Sequence, residues 1–128
     1  MKLEVGMYVR YEINGYTKIR KVTDFFEDST EYDTINIFLD KDYVITEFAV
    51  IGKPSHNITD LIEKRDIIKH DILNTVEIKE IDRGKELIYF YNINFPIKFK
   101  NFNEAFDLGT LSIVTKEQFE SMSYKVGE

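Results

Sequence analysis

Apolar and polar residues alternate with a period of two over most of this chain, the spacing of half-buried β-strands. The clearest alternating segments come in pairs. One is VGMYVRYEINGYTKIRKV, residues 5–22, interrupted at Asn14-Gly15. Glu4 to Thr23 aligns without a gap on Glu63 to Asp82, matching Tyr8 with Ile67, Val9 with Ile68, Arg10 with Lys69, Ile13 with Ile72, Ile19 with Ile78, Arg20 with Lys79 and Val22 with Ile81. Like-for-like matches at one offset imply an internal duplication.

Asn-Gly ordinarily marks a two-residue type I′ hairpin. In that register Ile13 pairs with Tyr16, and Lys18 and Arg20 share a face with Val9 and Tyr11, which would bury charge. The second copy alternates as Ile68, His70, Ile72, then Val76 and Ile78, which places its loop at Leu73 to Thr75. Carried back, this predicts a three-residue loop, Asn14-Gly15-Tyr16. Val9, Tyr11, Ile13, Thr17 and Ile19 then face inward, and Tyr8, Arg10, Glu12, Lys18 and Arg20 face outward.

Further β segments follow each hairpin: Thr34–Leu39 and Asp42–Ile51 after the first, and Glu86–Phe95, IKFKNF and Leu111–Val114 after the second. Gly52-Lys53-Pro54 is the clearest break in the pattern. HNITDLIE predicts a short helix capped by Asn57, with Ile58, Leu61 and Ile62 on one face. TKEQFESM predicts another, with Thr115 and Gln118 in capping-box spacing and Phe119 and Met122 as its apolar contacts, and a third around NEAFDLG ends at Gly109. The expected fold is mainly β (α+β), two tandem SH3-like or KOW-like units at residues 1–62 and 63–128. Each is closed by a short helix, and the two pack as one compact body because a unit of this size is marginal alone.

Composition supports a folded core: 128 residues, 43% hydrophobic and 14% aromatic. The aromatic run FPIKFKNFNEAF is expected in the core and between the lobes. Absence of cysteine removes disulfides, thiolate metal sites and thiol nucleophiles. MKLEVG lacks the apolar run of a secretory signal and no window has bilayer length, so a cytoplasmic protein with an idle NIT sequon at Asn57 is expected.

No motif announces a reaction. His56 and His70 have no nucleophile partner in sequence, no P-loop or His-x-x-x-His pair occurs, and 23 acidic residues make any chosen carboxylate pair uninformative. Neither a catalytic residue, a cofactor nor a bound metal is expected, and an enzyme or small-ligand role would need a pocket between the lobes. The acidic run FFEDSTEYD lacks the ligand spacing of an EF-hand and is expected as a solvated loop, with mimicry of a nucleic-acid backbone as an alternative role. In the opening hairpin Arg10, Lys18 and Arg20 could contact phosphates while Tyr8 and Tyr16 stack on bases. The second copy has Lys69, Glu77 and Lys79 at the matching positions, a pattern of cross-strand ion pairs, and a net charge of −6 is the wrong sign for a dedicated nucleic-acid domain.

VGMYVRYEINGYTKIRKV, SHNITDLIE and SIVTKEQFESMSYKV together resemble a group of small uncharacterised proteins encoded by phages and prophages of clostridia and related bacteria. The chain departs from that group at Lys64-Arg65, where the group has Val-Gly as at Val5-Gly6. The resemblance implies a non-enzymatic accessory factor in the cytoplasm of a bacterial host, binding a host protein stoichiometrically and inhibiting an antiviral defence system. The expected contact residues are Tyr8, Arg10, Tyr16, Lys18, Arg20, Glu27, Asp28, Glu31 and Asp33. A nucleic-acid-binding module using the first hairpin is the alternative, and homodimerisation through exposed strand edges is compatible with either.

Overall fold

The computed structural model describes residues 2–28, 34–72 and 74–120. The protein is mainly β, and its contacts divide it into two units, residues 1–61 and 62–128.

The first unit is a five-stranded antiparallel sheet built from β1 (Tyr8–Ile13), β2 (Tyr16–Asp28), β3 (Thr34–Leu39), β4 (Tyr43–Thr46) and β5 (Val50–Ser55), in the order β4-β3-β2-β1-β5. β2 is long enough to serve two partners: its first half pairs with β1 and its second with β3, across a register shift between Val22 and Asp24. Such an irregularity bends a strand and increases its twist, so the sheet curls over its own inner face. A single 3-10 turn, Glu47–Ala49, separates β4 from β5. This order, with a bent second strand and a 3-10 turn before the last, is the SH3-like arrangement. Leu3, Val9, Tyr11, Val22, Ile37, Leu39 and Ile45 form the buried cluster inside the curl.

The Asn-Gly turn corrects the expected loop. Ile13 pairs with Tyr16 and Tyr11 with Lys18, so only Asn14 and Gly15 lie between the strands. Both have positive φ, 53° and 81°, as a type I′ turn requires. One face of the hairpin therefore carries Val9, Tyr11, Ile13, Tyr16, Lys18 and Arg20, and the other Tyr8, Arg10, Glu12, Thr17, Ile19 and Lys21. Tyr8 and Arg10, expected on an outer surface, are buried, because β5 pairs along β1 and the segment ending at Leu61 returns to it. Arg10 Nη1 donates to the Leu61 carbonyl at 3.1 Å. Gly52-Lys53-Pro54 does not end the strand pattern; it bulges within β5, where Tyr8 pairs with Ser55 and Arg10 with Ile51. Ile58, Leu61 and Ile62 are buried as their spacing predicts, around a 3-10 turn over Ile58–Asp60 to which Asn57 gives no side-chain cap.

The second unit repeats the strand order. β6 (Ile67–His70), β7 (Asn74–Asp82), β8 (Leu87–Phe90), β9 (Ile97–Lys98) and β10 (Leu111–Val114) lie as β10-β6-β7-β8-β9. Its hairpin register differs from the expected one: His70 pairs with Asn74, so Asn74 and Thr75, expected in the loop, open β7. Ile72, expected inward, is 81% exposed in that turn. IKFKNF, expected as a strand, yields after two residues to α1 (Phe99–Asp107). Phe99, Phe102 and Phe106 have helical spacing, and Phe102 is fully buried. The helix ends in a Schellman motif: the Gly109 N–H donates to Phe106 and that of Thr110 to Ala105, with Gly109 at φ 80°.

Residues 116–120 are helical, and Thr115 Oγ1 accepts the Gln118 N–H at 3.2 Å, the expected cap; Met122 lies outside the described residues. Sequence gave no sign of the acceptor beside it. Asp66, fully buried, accepts the Glu63 N–H through Oδ2 at 2.8 Å and the Lys116 N–H through Oδ1 at 2.9 Å. The carboxylate thus ties the start of the unit to the first turn of its last helix, where a negative charge is favoured. Removing it strands two donors, so Asp66→Ala is expected to cost about 2–4 kcal/mol in urea unfolding of the whole chain. Asp66→Asn, keeping one acceptor, should cost less; equal midpoints for all three proteins would refute the role.

Candidate functional site

Lys18 and Arg20 lie on the inner face of β2, and the two-residue turn does not bury their charge fully. Both are half-buried. The Arg20 guanidinium lies 4.2 Å from the centroid of the Tyr43 ring, and Lys18 Nζ 5.7 Å from the same centroid. Arg20 Nε donates to Tyr11 Oη at 3.0 Å. Two tyrosines therefore fix one arginine, one by its face and one by its hydroxyl, and cation–π attraction favours both cations there. Neither cation has a carboxylate partner among the described residues. The nearby Asp40 accepts the Lys21 backbone N–H at 3.1 Å through Oδ1.

The residues that align with Lys18 and Arg20 in sequence, Glu77 and Lys79, do not take the same places in the second unit, because its hairpin register differs. Lys79 Nζ sits 5.9 Å from the Tyr91 ring centroid. Glu77, which aligns with Lys18, pairs with Arg65 at 3.0 Å. These last three side chains, Tyr91, Glu77 and Arg65, help line a shallow cleft of about 370 Å³.

A second surface lies on the outer face of β2, β3 and β4. Pairing of Asp24 with Phe38, Phe26 with Asn36 and Phe38 with Val44 puts these side chains on one face, opposite the core residues Phe25, Ile37 and Ile45. Phe26 and Val44 are 50% and 52% exposed, and the Phe26 and Phe38 rings pack at 5.6 Å between centroids. β4 is an edge strand, so this apolar face reaches the border of the sheet.

The sequence-predicted contact residues do not form one patch. Tyr8 and Arg10 are buried, Tyr16 is exposed beside the turn, and Lys18 and Arg20 converge on Tyr43. Glu27 is exposed on β2, and Asp28 continues that strand opposite Thr34; Glu31 and Asp33 lie outside the described residues. His70 Nδ1 accepts the Ile72 N–H, and His56 faces Glu4 at 3.2 Å. Among the described residues no group of three or more His, Asp or Glu side chains gathers to hold a metal ion, and no helix is long and apolar enough to cross a membrane. Tyr11, Tyr43 and the outer trio were missed. One signal was available: the adjacent Phe25 and Phe26 on a strand must point to opposite faces, so one of them had to face outward.

Comparisons with protein-family models, curated proteins and solved structures find no match.

Burial holds the Tyr11 phenol above its ordinary value of 10.0, while the hydrogen bond and positive charge of Arg20 pull the other way. The folded state thus keeps this proton more tightly than the unfolded chain, so stability is intact below pH 10 and falls as pH rises through the folded value. Arg20→Ala should raise the Tyr11 value further in an ultraviolet phenolate titration referenced to Tyr11→Phe. An unchanged or lowered value would show that the two side chains are not coupled.

Proposed function

We propose that this is a non-enzymatic binding protein that associates stoichiometrically with a host protein through the outer face of β2, β3 and β4. The observation that carries this reading is the apolar centre made by Phe26, Phe38 and Val44, flanked by Asp24, Asn36 and Thr46 on the same face. An aromatic centre inside a polar rim is the anatomy of a protein interface, where a few buried aromatic anchors supply most of the affinity. Beside it lies β4, the edge of the sheet among the described residues, to which an incoming strand could pair. The resemblance to phage and prophage proteins suggests the kind of partner, a component of a bacterial antiviral defence system, and with it a cytoplasmic setting.

A second reading, binding of single-stranded nucleic acid by the first hairpin, draws on Lys18 and Arg20 around Tyr43 with Tyr16 exposed nearby. It is the weaker of the two, because burial of Arg10 removes one of its three cations and the net charge of −6 opposes a polyanion.

The protein reading is tested by affinity capture from host lysate, using wild type and a Phe26→Glu, Val44→Glu double variant whose fold is checked by circular dichroism. Wild type should retain a partner at about one to one, and the folded variant should retain at least tenfold less. Recovery of no stoichiometric partner, or equal recovery by the variant, would overturn the proposal.

A further inference from the structure

The outer apolar face leaves unexplained why Lys18 and Arg20 share one tyrosine ring without a carboxylate partner among the described residues. Strand neighbours two apart on one face are roughly 7 Å from each other, so the two charges repel. The chain has 23 acidic residues with which to neutralise them. The second hairpin shows such neutralisation, with Glu77 of β7 in an ion pair with Arg65.

The geometry of Arg20 shows what is left open. Tyr11 takes Nε and Tyr43 covers one face of the guanidinium. Neither terminal nitrogen donates to any described residue, so the end of the fork, two parallel N–H groups, points to a bidentate oxyanion. The half-exposed Tyr43 leaves the position open to a ligand, and Lys18 adds a second positive charge at the same ring.

We infer that Arg20, fixed by Tyr11 and Tyr43 and assisted by Lys18, is a receptor for a carboxylate on an acidic segment of a protein partner. The surrounding charge selects this occupant over a nucleic-acid phosphate. Asp40, whose Oδ1 accepts the Lys21 backbone N–H, lies close to the site on a chain of net charge −6, a field that a single carboxylate tolerates and a polyphosphate does not. The site lies on the inner face of β2 and does not depend on the outer apolar surface being an interface.

The test follows the Arg20 Nε–Hε resonance and the Tyr43 ring by NMR in the full chain, during titration with a blocked tetraglutamate peptide at low salt. Saturable shifts at both groups are expected. Arg20→Lys, which keeps charge but loses the fork, should weaken binding at least tenfold, and Lys18→Ala should weaken it less. No shift at Arg20, or an Arg20→Lys variant binding as well as wild type, would overturn the assignment. Tighter binding of a ten-residue oligothymidylate than of the peptide, with the same resonances shifting, would overturn it in favour of a nucleic-acid site.

Discussion

The two-residue turn at Asn14-Gly15 is the constraint on which the first unit depends. A strand hairpin has only two registers by face, and one extra loop residue would exchange every side chain of β2 between them. With Asn14 and Gly15 both at positive φ, Tyr11 stands opposite Lys18 and Val9 opposite Arg20. The inner face of β2 then carries two half-buried cations, and the protein accommodates them on tyrosine. Arg10 lies on the opposite face in either register, and there, under β5 and the segment ending at Leu61, it binds the Leu61 carbonyl and helps to hold the end of the unit against β1. A residue that looks like a phosphate contact in the sequence is thus a structural clasp.

The second unit reaches the same strand order with different hardware. Its fourth strand is two residues long, and α1 stands where the first unit has a 3-10 turn. Pairing of His70 with Asn74 moves the hairpin register away from that of the first copy, although the two sequences align without a gap. The two units share strand order and differ in hairpin register. The buried Asp66 carboxylate, accepting from both Glu63 and Lys116, and Arg83, donating to the Ile62 carbonyl at 3.2 Å, do the work of closing this unit.

Much of the fold was legible because alternation reports burial directly. Thr34–Leu39 and Leu111–Val114 are strands to the residue, and Ile58, Leu61 and Ile62 are buried together. The helix signal at Gly109 was also sound, since a positive-φ residue after a helical run has few other uses. What failed was transfer between the copies. The second hairpin seemed to fix the first because its apolar residues alternate cleanly, but Ile72, the residue that anchored that inference, is exposed in a turn. The local chemistry of Asn-Gly was the better guide. The site was less legible than the fold: Tyr43 lies on β4, more than twenty residues beyond Arg20, and Asp66 takes one of its two donors from a helix fifty residues on.

The two surfaces of the first unit divide naturally between them the tasks of recognition: an apolar centre on the outer face for affinity, and a fixed cationic fork at the inner rim for charge selection. Both descend from the hairpin register, so that register is the point to measure. Nuclear Overhauser contacts between α-protons of facing, non-hydrogen-bonded residues report it directly. The two-residue turn predicts Hα contacts between Arg10 and Ile19 and between Glu12 and Thr17. Contacts of Arg10 with Arg20 and of Glu12 with Lys18 would instead mean a three-residue loop, with both cations turned outward and no fork held at Tyr43.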